Sequence, residues 1–96
     1  GLAADAVNVV RSRAKATPVD EADMDMDYLL DERIRELVGE ESRRFTLLRT
    51  GMYIERVKKH NADLKDIVSE KDLLWPIPQS IRDSNRDVEF PQNPGY

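Results

Sequence analysis

Leu74-Trp75-Pro76-Ile77-Pro78-Gln79 and the closing Pro91-Gln92-Asn93-Pro94-Gly95-Tyr96 decide how this chain is put together. Four of its five prolines fall after residue 75. Proline fixes its own φ and lacks the N–H that a helix interior or a central strand needs. The stretch is therefore extended, apart from a helical turn opened by Pro78 at its first position. Its apolar residues must lie as a strap over something already folded. Asn93-Pro94-Gly95-Tyr96, with proline second and glycine third, has the order of a type II turn.

What precedes the strap is helical. Ala3, Ala6, Val7, Val10 and Ala14 recur at helical spacing as a narrow stripe of mostly small residues, which lets another helix approach closely. Pro18 ends this helix and biases Thr17 toward an extended conformation. An acidic linker leads to Asp25, a good N-cap, with Asp27 at the positive end of the dipole and Met24 placed to staple onto Leu29. Leu30, Ile34, Leu37, Phe45 and Leu48 then share one helical face, which predicts a single long helix to about Arg49, loosened at Gly39. Thr50-Gly51 is a break or a kink. Tyr53, Ile54 and Val57 support a third, shorter helix ending at His60-Asn61. Residues 62–72 are polar, with one or two helical turns at most around Leu64, Ile67 and Val68. The expected fold class is mainly α: a helical pair, a short third helix and an extended proline-rich C-terminal strap.

Ninety-six residues allow one domain with one modest core. The net charge of −4 is unevenly spread. Residues 1–31 carry 3 basic and 7 acidic side chains, residues 32–60 carry 8 and 5, and residues 61–96 carry 4 and 7. The positive middle segment alternates in sign, the mark of internal pairing and not of a polyanion footprint, so no nucleic-acid partner is expected. Cysteine is absent, which removes disulfides, thiolate nucleophiles and Cys-based metal sites. No run approaches the roughly 20 apolar residues of a membrane span.

Glu32, Glu36 and Glu40 are spaced by four and stack along one side of the second helix, with Arg33 and Arg43 sharing that side. Stacked carboxylates repel by a few tenths of a kcal/mol per step. Arg11 and Arg13 on the first helix are the natural counter-charges, in a carboxylate–guanidinium ladder. Glu41 falls in the apolar stripe and needs a partner or a water. Acid/base work by these carboxylates would require two of them facing across a cleft. No such cleft is legible, and a structural ion-pair network is the favoured reading. Asp23, Asp25 and Asp27 alternate like a calcium loop, but Tyr28 and Ile34 stand where an EF-hand needs glycine and glutamate. His60 is a lone histidine at a helix end. No catalytic residue, metal ligand or cofactor is expected. Trp75, Phe90 and Tyr96 are strap anchors first and sugar-stacking platforms second.

Val10-Arg11-Ser12-Arg13-Ala14, Glu32-Arg33-Ile34-Arg35-Glu36-Leu37-Val38-Gly39-Glu40 with Arg43, Leu47-Leu48-Arg49-Thr50-Gly51, and the tail blocks Trp75-Pro76-Ile77-Pro78-Gln79, Asn85 and Gln92-Asn93-Pro94-Gly95-Tyr96 occur in one order. In that order they resemble the C-terminal region of SusD/RagB nutrient-binding lipoproteins of the bacterial outer membrane. One departure is Thr46, where many relatives place aspartate; another is the shortness of residues 61–73. The resemblance implies tetratricopeptide-like helical hairpins and a non-catalytic protein at the cell surface. It also implies capture of glycans or other nutrients for a SusC-like TonB-dependent transporter. It carries over no ligand contact to any residue of this segment. With no signal peptide and no lipidation cysteine in view, it further implies a piece of a longer protein whose lipid anchor lies outside residues 1–96. Such a piece is expected to act mainly as scaffold and to self-associate. A helical protein–protein interaction module with no glycan role is the alternative.

Overall fold

Small side chains, one cap and three left-handed glycines shape this chain. The computed structural model describes residues 1–96, which form helices and turns with no strand. The helices are α1 (Leu2–Arg13), α2 (Met26–Glu36), α3 (Arg43–Arg49), α4 (Tyr53–His60) and α5 (Gln79–Ser84). Short 3-10 turns span Glu21–Asp23 and Glu70–Leu73. Two compact units divide the chain, Gly1–Arg43 and Arg44–Tyr96.

In the first unit Ala4, Val7 and Val19 form the buried cluster, with Met24, Tyr28 and Leu29 packed against it. Asn8 holds that cluster shut. Its Oδ1 accepts from the Val19 N–H at 2.8 Å and its Nδ2 donates to the Val19 carbonyl at 3.0 Å. The chain reaches Val19 by a reversal after α1, with Lys15 at φ 55° and the Ala16 N–H returned to the Arg11 carbonyl. This return path corrects the expected stripe. Ala3, Ala6 and Ala14 are exposed, whereas Ala4, outside that stripe, is buried. Ala4, Val7, Asn8 and Arg11 fall at i, i+3, i+4 and i+7, so the inward face of α1 is rotated toward the Val19 segment.

Asp25 caps α2, its Oδ1 accepting from the Tyr28 N–H at 2.7 Å. Leu30 is the large side chain that α2 buries fully. The single long helix expected up to Arg49 does not form. Leu37 ends α2 by donating its N–H to the Arg33 carbonyl, and the N–H groups of Glu40 and Glu41 both turn back to the Leu37 carbonyl. Gly39 sits at φ 78°, a backbone region that side chains with a Cβ resist. That left-handed turn after the Leu37 C-cap outweighs the apolar periodicity on either side. The expected common face is consequently broken: Ile34 and Phe45 are both exposed.

In the second unit Thr46, Leu47 and Arg56 are the buried residues. The α3–α4 corner is made by Gly51 at φ 72°, with the Met52 N–H bonded to the Leu47 carbonyl at 2.9 Å. Thr46 takes part in that corner, its carbonyl accepting from the Thr50 hydroxyl at 2.9 Å. After α4 the chain turns through residues 62–67 and enters the Glu70–Leu73 turn through a capping box of Ser69 and Asp72. Residues 74–78 are extended. Pro78 lies one position before α5, as its N-cap and not as its first helical residue. The closing turn has Gly95 at φ 92° and the Tyr96 N–H directed to the Asn93 carbonyl at 3.3 Å, the geometry of type II.

Gly39→Ala separates a continuous helix from a broken one. Alanine would stabilise a helix interior by about 1 kcal/mol. At a left-handed stop it should instead destabilise by about 1 kcal/mol, although nothing lies within 4 Å of the added Cβ. Urea unfolding of the two proteins reads the sign.

Candidate functional site

The charged side chains of α1 and α2 meet in the first unit. Arg11 Nη1 donates to Glu32 Oε2 at 2.7 Å, and Arg35 Nη1 donates to the same oxygen at 2.7 Å. Both side chains of the Arg11–Glu32 pair are more than four-fifths buried. Arg13 pairs with Glu36 further along, in a more exposed setting. Arg11 also donates through Nε to the Thr17 carbonyl at 2.6 Å and lies 5.9 Å from the Tyr28 ring. Glu41 meets Arg33, whose Nε and Nη2 both donate to Glu41 Oε1, at 3.1 and 2.7 Å. The break at Gly39 makes that pair possible, because it folds Glu41 back beside α2.

Two members of the expected ladder therefore have their arginines, and Glu40 does not join them. It lies beyond the end of α2, so the four-residue spacing no longer stacks it on Glu36. Glu32 and Glu36 are held by guanidinium groups, an arrangement that crosslinks two helices.

In the second unit Arg44 is the organising side chain. Its Nη1 donates to the Tyr53 hydroxyl at 2.7 Å and its Nη2 to the Asp72 carbonyl at 2.6 Å. The same guanidinium lies 4.7 Å from the Tyr53 ring and 5.4 Å from the Trp75 ring. Trp75 in turn tilts against Phe45, with ring centroids 6.5 Å apart. Neither ring is covered: Trp75 is 64% exposed and Phe45 61%. The expectation that the strap buries its tryptophan is thus corrected within this chain. Leu74 and Tyr96 also stay about half exposed, and Phe90 somewhat less.

Tail residues Gln92, Asn93 and Tyr96 bond the backbone of Ile77, Trp75 and Leu74. Asp72 joins this region to its neighbours. Its Oδ1 accepts from the Lys71 ammonium at 2.9 Å and its Oδ2 from the Ser69 N–H at 2.9 Å. The lysine contact first, and the Ser69 N–H second, hold the Asp72 carboxyl below the usual carboxylate range. Asp72 raises the Lys71 pKa in the same way.

An open groove of about 720 Å³ runs beside α4, with Leu48, Ile54 and Leu73 below and Glu55, Lys58 and Glu70 at the rim. It has the volume of a ligand site but no aromatic ring to stack a sugar. A smaller groove between α1 and α2, about 220 Å³, is floored by Ala6, Val10 and Leu37. No group of acidic or histidine side chains is assembled to hold a metal ion, and no helix is long and apolar enough to cross a membrane. His60 is exposed at the C-terminal end of α4, and Asp25 is the cap of α2.

Sequence rules do not mark Asn8, Arg44 or Lys71 as organising residues. Asp72 does carry a local sign, as the third residue after Ser69 in a capping-box pattern. Asn8 and Arg44 act across 11 and 28 residues, beyond any spacing rule. The signature residues Trp75, Pro76, Pro78, Gln92, Asn93, Pro94, Gly95 and Tyr96 gather in the second unit. Arg11, Arg13, Glu32, Arg33 and Glu36 gather in the first.

A family model described as the SusD family matches residues 1–96. No curated protein and no solved structure matches the chain.

Two outcomes follow from the ion pairs and the Asp72 cap. A double-mutant cycle on Arg11 and Glu32 should return a coupling of about 2 kcal/mol, because removing one partner leaves a mostly buried charge. The same cycle on the exposed Arg13 and Glu36 should return less than about 1 kcal/mol. Asp72 has a depressed pKa, so its contribution is present above the unfolded-state value, near 4, and is lost as pH falls through the folded one. Acid titration monitored by NMR should therefore show the Ser69 amide shifting only below about pH 4, and Asp72→Asn should abolish that step.

Proposed function

We propose that this chain, which belongs to the SusD family, supplies scaffold to a nutrient-binding receptor and contributes little of the ligand site itself. Proteins of the family are non-catalytic binding proteins. Membership implies glycan binding at the outer-membrane surface together with a SusC-like transporter. The finer reading concerns this segment. It is the C-terminal part of a larger helical domain, built of tetratricopeptide-like hairpins and closed by a proline-rich strap. Its lipid anchor lies outside residues 1–96.

The observation that carries the scaffold reading is the reversal of inside and outside among the large apolar residues. Leu30 alone is fully buried, whereas Leu2, Val9, Val38, Phe45, Ile67 and Trp75 each keep more than half of their surface. Helices with apolar residues on both sides are shaped for neighbours on both sides. The grooves beside α4 and between α1 and α2 hold no aromatic ring; a third, of about 230 Å³, is lined by Phe45 and Trp75, but its Arg44 is already engaged by the Tyr53 hydroxyl and the Asp72 carbonyl. The side-by-side Phe45 and Trp75 rings also favour a second reading, a face that engages another protein chain, because aromatic rings are enriched at such contacts. Within a receptor that works with a transporter the two readings are compatible.

Oligosaccharide titration followed by Trp75 fluorescence tests the scaffold role. The isolated chain should show no saturable change, and tight, specific binding would overturn the proposal. Glu36→Gln and Glu40→Gln should leave glycan turnover at the zero level of the parent chain. Sedimentation at rising concentration should reveal self-association, and Phe45→Ser with Trp75→Ser should reduce it; a parent chain that stays monomeric throughout counts against exposed docking faces.

A further inference from the structure

The last six residues touch the strap almost as a separate molecule would. Gln92 uses both ends of its amide on one residue: Oε1 accepts from the Ile77 N–H at 2.7 Å and Nε2 donates to the Ile77 carbonyl at 2.9 Å. The same Oε1 accepts from the Asn93 N–H at 2.9 Å, which fixes the amide's orientation. Asn93 Nδ2 donates to the Trp75 carbonyl at 2.7 Å, and the Tyr96 hydroxyl donates to the Leu74 carbonyl at 3.0 Å. Lys71 places its ammonium 5.2 Å from the Tyr96 ring. Three side chains thus read the backbone of Leu74, Trp75 and Ile77, passing over Pro76, which has no N–H to offer.

The spacing of those side chains depends on the closing turn. Gly95 sits at φ 92°, and a Cβ there would lie 2.6 Å from Lys71 Cβ, nearer than real Cβ atoms come. The connection between α5 and the tail is sparse by comparison. Along residues 85–90 the contacts to α5 are the Asn85 N–H on the Arg82 carbonyl and Arg82 Nε on the Phe90 carbonyl. Residues 86–90 are exposed.

We propose that residues 91–96 are a built-in peptide ligand whose receptor is Lys71–Ile77, and that their docking holds Trp75 against Phe45 and Arg44. Recognition is by backbone-directed amides, one tyrosine and one obligatory glycine. It therefore selects a segment of sequence Gln-Asn-Pro-Gly-Tyr and is indifferent to most side chains of the receptor. The linker keeps the ligand at an effective concentration on the order of millimolar. In the intact chain the receptor is consequently filled from within, and a free peptide competes poorly. The inference concerns the tail alone and does not rest on the scaffold role.

The Gly95→Ala chain of residues 1–96 tests it, with a fluorescein-labelled peptide of residues 86–96 as probe. The substitution should undock the resident tail, shift Trp75 emission and leave the helical circular dichroism unchanged. The labelled peptide should then bind the variant saturably, restore the Trp75 emission of the wild-type chain, and bind the wild-type chain at least about tenfold more weakly. A peptide carrying Gln92→Ala should lose binding. Absence of saturable binding to the variant, equal binding to both chains, or loss of helical signal in Gly95→Ala would each overturn the proposal.

Discussion

Extended backbone without a neighbouring strand must find hydrogen-bond partners elsewhere, and here it finds them on side chains. Asn8 serves Val19, Arg11 serves Thr17, and Gln92, Asn93 and Tyr96 serve Ile77, Trp75 and Leu74. Each bond runs from a polar side chain to a non-helical segment and draws that segment toward its unit. Both units use the device. In the first it folds the Val19 segment onto α1; in the second it ties the strap to the tail.

The device matters because apolar burial within the chain is slight. Five hydrophobic residues are buried, and Leu30 is the one large side chain closed off from water. Polar crosslinks position elements without supplying much net stability, since each replaces a bond to water. Bidentate amide and guanidinium contacts do fix direction closely. Such a chain has defined geometry and unfilled apolar faces, as a segment that completes itself against neighbours should have. The charged residues follow the same pattern. Arg11, Glu32 and Arg35 form a partly buried cluster that joins two helices. The family is one of non-catalytic binding proteins.

Trp75 illustrates how the strap joins the two kinds of interaction. Its carbonyl is held by Asn93, while its ring rests against Phe45 and near the Arg44 guanidinium. The backbone is therefore fixed even though the ring remains largely in solvent. An aromatic side chain held in that way presents apolar surface in one orientation and loses little entropy when it is covered.

Much of the local structure follows from sequence. Asp25 as a cap, α4 ending at His60, the strap and the type II turn at Asn93–Tyr96 each follow from one residue's own chemistry, whether a carboxylate oxygen, a proline ring or a missing Cβ. That Arg11 and Arg13 supply counter-charges to the α2 glutamates is also legible, because four-residue spacing places like charges where opposite ones are needed; which arginine meets which glutamate is not. Tertiary structure decided the rest. Whether Gly39 sits inside a helix or stops one is a small difference in propensity, and the return of Glu41 to Arg33 lies on the stopped side. The inward face of α1 was set by where Val19 returns, and the hub at Arg44 by a contact 28 residues away. Periodicity along a helix defines an apolar stripe, but only the element that comes to cover the helix determines which edge of that stripe is inside.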